Sequence, residues 1–291
     1  MLIDLHTHSR ASDGTQSPGD VMRSAKAAGL DVVGLTDHDS AAGWGEAAAV
    51  AREVGVELVP GMEISTKLYG SGVHLLAYLP DPNSPALVDE LTKILAGRTG
   101  RLAAMIGQLR DAGVDITEEE VLDQVGGSPA IGRPHIADVL VAKGVVGDRT
   151  QAFAEWLNWG RPGYVTRYAT RTDAMIAIVT AAGGAAVIAH PWGRGSRHVL
   201  DKDTFAELRE RGLVGIEVDH QDHDDHDRDD LRRIAEELDL VITGASDYHG
   251  TGKVDHDLGC NVTSPAEYER LLARAADNAA RARRSVAEVI R

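Results

Sequence analysis

The chain has a single cysteine, Cys260, in 291 residues. It can form no internal disulfide, so a disulfide-stapled fold is excluded. Leu258, Gly259 and Asn261 supply no thiol-activating base, and Cys260 is expected to be a small buried residue. No apolar run approaches the roughly 20 residues of a membrane helix. The first residues reach charge at Asp4 without a basic leader, so a globular, cytoplasmic protein is expected. Positive charge is scarce: 30 Lys and Arg against 45 Asp and Glu give a net charge of -15. That disfavours binding to long duplex nucleic acid, which relies on a field of cations. A small anionic substrate remains compatible, because divalent ions in a pocket reverse the field locally. There is no fixed-period repeat, and low complexity is confined to alanine runs and an acidic, histidine-bearing stretch over 219–230.

What is present is a hydrophobic fraction of 43%, enough for a large core, arranged as apolar runs alternating with helical patterns. Runs at 2–5, 32–35, 57–59, 185–189, 214–218 and 241–244 alternate with helical segments at 18–28, 44–54, 172–182, 203–211 and 231–238. Strand–helix alternation predicts a mainly parallel sheet. In a closed barrel of such strands, the C-terminal ends meet at one mouth, where residues distant in sequence converge. Between Pro80 and Arg167 the rhythm gives way to helix-like stretches at 85–111, 117–125, 134–142 and 150–159. The reading is a discontinuous barrel, 1–79 and 168–291, with a helical cap inserted at 80–167.

The polar residues fall where such a mouth would be. His6 and His8 close the first strand, and their spacing puts both rings on one face. Asp13 follows on a glycine turn. Asp37 and His38 end the second strand, Glu63 follows the third, His74 lies on the next, His190 precedes a proline at the end of a buried run, and Asp247 and His249 follow the last. Each alone has a plain explanation: a core histidine, an exposed carboxylate, a helix cap at Ser246 or Asp247. Jointly they form a nitrogen and oxygen donor set suited to zinc, manganese or iron rather than calcium. Arg133 and Arg161 read as a phosphate clamp, since a guanidinium offers a planar fork of donors. His135 would add a donor, and Arg194 sits on a glycine-rich loop.

The motifs Asp4-Leu-His-Thr-His-Ser9, Ser12-Asp-Gly14, Thr36-Asp-His-Asp39, Gly61-Met-Glu63, Ala189-His-Pro191 and Ser246-Asp-Tyr-His249 resemble those of the PHP (polymerase and histidinol phosphatase) superfamily over essentially the whole chain. Gly132-Arg-Pro-His135 and Arg161-Pro-Gly-Tyr-Val165 resemble the insert-bearing branch that includes nucleoside 3',5'-bisphosphate phosphatases and 5'-3' exoribonucleases. The resemblance implies an α/β fold, a distorted (β/α)7 TIM-like barrel with an inserted helical cap domain. It also implies three divalent ions: one on His6, His8, Glu63 and Asp247, a second on Glu63, His74 and His190, and a third on Asp13, His38 and His249. His223, downstream of a family-like Glu217-Val218 strand, is expected to contact substrate or donate a proton, while His220 and His226 are expected to be solvated. The family more often has an aromatic residue where this chain has Asp219.

The expected function is hydrolysis of a nucleotide phosphomonoester by a hydroxide bridging metals, with Asp247 orienting the water and His223 or a metal-bound water protonating the leaving oxygen. The substrate would be a 3',5'-bisphosphonucleotide or a nucleoside monophosphate. Alternatives are a 5'-3' exoribonuclease on short RNA and a metal-dependent regulatory module without turnover, with histidinol phosphate a weaker substrate candidate.

Overall fold

The first strand, β1 (Ile3–Thr7), is buried along its whole length. The computed structural model describes residues 1–291, apart from the side chain of Arg194. The order continues α1 (Pro18–Ala27), β2 (Val32–Leu35), α2 (Trp44–Val54), β3 (Glu57–Leu68) and β4 (Ser71–Tyr78). Next come α3 (Pro85–Asp111), α4 (Glu118–Val125), α5 (Arg133–Ala142) and α6 (Arg149–Ala152), the last running into a π-helical turn at Phe153–Leu157. The chain then returns through β5 (Thr170–Arg171), α7 (Thr172–Ala181), β6 (Ala185–Ile188), a 3-10 stretch at Gly193–Val199, α8 (Lys202–Glu210), β7 (Leu213–Asp219), α9 (Asp225–Glu237), β8 (Val241–Gly244) and α10 (Pro265–Ala282). No helix is long and apolar enough to cross a membrane among the described residues.

The sheet runs β1-β2-β3-β4-β6-β7-β8, with the short β5 on β3. It curls until its ends meet, where His8 N–H donates to Tyr248 O at 2.8 Å. The expected parallel pairing holds for β1-β2-β3 and β6-β7-β8, but β4 runs antiparallel to both β3 and β6. The reason is local: Tyr69 and Gly70 adopt φ 47° and 88°, the left-handed two-residue turn that joins a hairpin. That reversal matters for the site. Glu63 and Ser65 share a face, and His74 pairs opposite Ser65, which makes His74 a diagonal neighbour of Glu63.

Met62, Ile64, Leu75, Ile188 and Ile216 form the main core with Met175, Ile176 and Phe205 from the outer helices. The 18-residue α10, absent from the expected elements, packs Tyr268, Leu271 and Ala275 against Ile3, Val59 and Tyr78. Helix α9 starts six residues earlier than expected, because Asp224 caps it by accepting from Asp227 N–H at 2.8 Å. α3 belongs to two cores: Leu87, Leu91 and Ile94 join the sheet, whereas Leu102, Met105, Ile106 and Leu109 pack with α4, α5 and the π turn. Cys260 is exposed, not buried as its composition suggested, because it lies on the loop before α10.

Candidate functional site

The nine expected ligands converge at one edge of the sheet, and hydrogen bonding settles which ring nitrogens are bare. His6 Nδ1 faces the buried Glu217 carboxylate at 3.1 Å, so in the neutral ring Nδ1 carries the proton and Nε2 is bare. Ser12 donates its hydroxyl hydrogen to Asp37 Oδ1 at 2.6 Å, so its oxygen accepts from His8 Nδ1 at 3.3 Å and His8 Nε2 is bare too. These two bare nitrogens lie 3.0 Å apart. Glu63 Oε2 stands 3.4 Å from the first and 3.2 Å from the second, and Asp247 Oδ1 stands 3.5 and 3.3 Å away. Four acceptors facing one point repel one another unless a cation sits among them.

The acid–base balance agrees. Burial alone would lower His6, but Glu217, Asp247 and Glu63 outweigh it and raise the ring well above its ordinary range. His8 is carried the same way against burial, to about 9, by Asp247 and Glu63. The carboxylates therefore demand positive charge, which protons or metal ions would supply.

Glu63 is the hub. Its Oε1 lies 2.6 Å from His74 Nδ1 and 3.1 Å from His190 Nε2, and its Oε2 lies 3.1 Å from His38 Nδ1. Asp13 joins the remaining pair, with His249 Nε2 at 3.3 Å and His38 Nε2 at 3.7 Å. His249 donates Nδ1–H to Asp247 O at 2.8 Å, which again leaves Nε2 bare toward a carboxylate. Burial, stronger than the pull of Glu63 and Asp13, lowers His38 to about 3, so its ring is neutral and able to ligate. Burial would raise Asp13, Glu63 and Asp247, yet the imidazoles that face them, with Lys253 beside Asp247, hold all three well below the carboxylate range. The resulting groupings are His6–His8–Glu63–Asp247, His38–Glu63–His74, and His8–Asp13–His38–His249. Neutral imidazoles and ionised carboxylates in these groups fit divalent ions.

A fourth grouping, His220–Asp247–His256, has different chemistry. Asp222 N–H donates to His220 Nδ1 at 3.0 Å, so the proton of a neutral His220 sits on Nε2, 3.4 Å from Asp247 Oδ2. His220 thus faces Asp247 as a donor, and Lys253 Nζ also pairs with Oδ2. The expectation that His220 is solvated is corrected: it is fully buried, since the loop after β7 folds inward. His226 is exposed at 77%. Backbone strain marks the same edge, with Asp39, His190 and Asp247 at φ 54°, 29° and 53°. Such conformations cost about 1 kcal/mol or more each and persist where contacts fix them. Asp39 is held by Arg98 and Ser65, and His190 by its N–H to Glu217 at 2.9 Å.

Above the ligands lies a cleft of about 1590 Å³. Arg133 lines it, packed over the Phe153 and Tyr164 rings at 5.2 and 5.9 Å and donating to Leu157 O. Three expected substrate contacts are not found there. Arg161 is exposed on the turn after the π helix, outside the cleft lining. His135 accepts from Gly132 N–H and donates to Ser12 O at 3.0 Å, so both ring nitrogens serve to tie α5 to the Asp13 turn. His223 is committed likewise: Nδ1–H donates to Val218 O at 2.8 Å, and Nε2 accepts from Trp192 N–H at 3.2 Å. It has no proton to give a substrate, which corrects the general-acid expectation. Arg194, the fourth, lies outside the described side chains. Sequence reasoning missed Glu217, Arg98, Arg101, Arg167 and Lys253; only Glu217 carried a signal, as an acid inside an apolar strand.

The PHP domain pattern matches residues 4–110. A 3',5'-nucleoside bisphosphate phosphatase of Chromobacterium violaceum is 34% identical, over 88% of this chain and 90% of that protein. The chain belongs to the PHP domain family. A 5'-3' exoribonuclease of Haemophilus influenzae is also 34% identical, over 84% of this chain and 89% of the relative. Among solved structures, a Bifidobacterium adolescentis protein described as a metal-dependent phosphoesterase has TM-score 0.90 and 36% identity, covering 94% of this chain and 96% of that one. This PHP protein is accordingly a hydrolase of phosphoric esters, and its histidine and carboxylate clusters could hold metal ions.

Proposed function

We propose that this chain removes a phosphate from a nucleotide phosphomonoester, a 3',5'-bisphosphonucleotide or a nucleoside monophosphate, using three divalent ions. On this reading the curled sheet is a distorted (β/α)7 barrel, and residues 80–167 form a cap over its mouth. The observation that carries it is the meeting of bare His6 Nε2 and His8 Nε2 with Glu63 Oε2 and Asp247 Oδ1. Manganese, zinc or iron would supply Lewis acidity and lower the pKa of a coordinated water toward about 7.

The side chains have separable roles. Glu63 spans two groupings with its two oxygens; Asp13, His38 and His249 hold the rim; Glu217 fixes the His6 ring. Lys253 and His220 hold Asp247 Oδ2, which leaves Oδ1 turned to the ligands. Arg133 and the other guanidiniums of the cleft would steady phosphoryl oxygens as charge develops. The names of the Chromobacterium and Haemophilus relatives support a nucleotide or short RNA substrate. The cleft exceeds the roughly 300–1,000 Å³ of ordinary small-ligand pockets, so an exoribonuclease activity is the second reading.

The test is phosphate release from bisphosphates, monophosphates and histidinol phosphate, and nucleotide release from short 5'-phosphorylated RNA, by manganese-reconstituted protein. Asp13→Ala, which removes the carboxylate between His38 and His249, is expected to lower kcat at least about 100-fold and to reduce bound metal. Wild-type turnover in that variant would overturn the reading.

A further inference from the structure

We propose that Arg149 is a positioning residue for the ion held by Asp13, His38 and His249, clasping the two rim loops that carry Asp13 and His249 to the helices packed on them. The inference rests on the three-ion reading and deepens it: this one site is complete only while α4 to α6 are seated on the rim.

The turn that carries Asp13 is gripped from outside the sheet. Three successive carbonyls, those of Ala11, Ser12 and Asp13, each accept from a different side chain: Ser128 Oγ at 2.9 Å, His135 Nε2 at 3.0 Å and Arg149 Nη1 at 3.2 Å. Ser128 precedes α5, His135 lies on it and Arg149 opens α6, and these helices share a hydrophobic core of their own with α4 and the second half of α3. Asp13 has a short side chain, so its carboxylate stands where the turn puts it. Residues that orient a ligand in this way govern metal affinity without touching the ion.

Arg149 also reaches the second loop. Nη1 donates to Gly252 O at 3.4 Å, three residues past His249, and a Cβ on Gly252 would displace the guanidinium, so the contact requires glycine there. Thr15 stitches the same seam: its N–H donates to His249 O at 3.1 Å, and its hydroxyl accepts from Thr251 N–H at 3.0 Å. Across that seam Asp13 Oδ1 and His249 Nε2 face each other at 3.3 Å.

The charge of the clasp is arranged so as not to oppose a cation. Nε and Nη2 of Arg149 form a bidentate pair with Asp138 on α5, at 2.5 and 2.6 Å, which neutralises the guanidinium beside the site. Burial alone would lower Arg149, but Asp138 outweighs it and Asp13 adds to the pull. A lysine would keep the charge, yet it has no planar fork to serve Asp138 and two carbonyls at once.

The test reads metal and backbone mobility before turnover. Manganese binding to metal-free protein is measured by equilibrium dialysis. Arg149→Met and Arg149→Lys should each weaken one of the three ions about 10–100-fold and leave the other two as in wild type. Asp13→Ala should weaken the same ion, and adding Arg149→Met to it should cost nothing more, because both changes act on one site. In metal-free protein, amide exchange over residues 12–15 should be at least tenfold faster in Arg149→Met. On a nucleoside 3',5'-bisphosphate, kcat of that variant should fall at limiting manganese and recover in excess, with KM little changed. Leu109→Ala, which loosens the core of these helices without touching the three donors, should lower the melting temperature but leave all three affinities unchanged. Rescue by lysine, a further loss in the double variant, weakening of all three ions together, the same selective loss in Leu109→Ala, or unchanged exchange over 12–15 would overturn the proposal. Should wild type bind fewer than three ions or cleave no phosphate ester, the function reading fails, while the exchange measurement still decides whether Arg149 holds the turn.

Discussion

At the scale of single residues, the site is defined by which ring nitrogen a neutral imidazole leaves free of its proton. The motifs around His6, His8, Asp13, His38, Glu63, His190, Asp247 and His249 were legible because each closes an apolar run or follows it within a few residues. The roles of His135, His220 and His223 were not, because residue type does not reveal which ring nitrogen the backbone consumes. In all three the answer came from backbone groups at Gly132, Asp222 and Trp192. The raised rings of His6 and His8 yield a prediction. Without metal they hold protons below their folded values, about 9 for His8, and an entering ion must displace them. Apparent metal affinity should therefore keep rising between pH 7.5 and 9. Competition against a chromogenic chelator measures it; a plateau already at pH 7, as ordinary histidines would give, contradicts this account.

At the scale of elements, most helices and strands were readable from periodicity, and the exceptions have physical reasons. β4 was misoriented because Tyr69-Gly70 is a weak turn signal, whereas α10 was legible in the helical spacing of Tyr268, Leu271 and Ala275 after Ser264-Pro265 and was overlooked because it lies beyond the last ligand motif. Strand packing supports a stability prediction. A Cβ at Gly34 would meet Leu5 O at 2.3 Å, so Gly34→Ala must push β1 from β2. A loss of about 2 kcal/mol or more is expected in urea unfolding, with less bound metal, since His6 lies on β1 and His8 directly follows it.

The junction of α3 with β5 supports another. Glu90 accepts from Thr170 Oγ1 at 2.6 Å, from Lys93 at 2.8 Å and from Tyr168, joining the helix to the returning chain. Burial would raise this carboxyl, but those donors lower it to about 2. Its folded value lies below the unfolded one of 4.5, so its contribution is complete above pH 4.5 and fades as pH falls toward 2. Wild type should lose more stability than Glu90→Gln across that window in melts of metal-free protein. Parallel curves would show that Glu90 contributes nothing through its charge.

For the whole molecule, the sequence-distant candidate ligands meet because a curled sheet returns the segment after β8 to the end of β1. A chain of net charge -15 then presents a cleft whose wall carries Arg98, Arg101, Arg133 and Arg167 beside an acidic, histidine-rich floor. Fields of opposite sign at close quarters suit a small phosphorylated substrate drawn to bound cations. The most direct test is a titration of metal-free protein with manganese, following bound ions per chain and phosphate release from a nucleoside 3',5'-bisphosphate in the same samples. Release should be absent without metal and rise to a plateau as three ions bind. Full release in excess chelator, or none with the ions bound, would contradict the account.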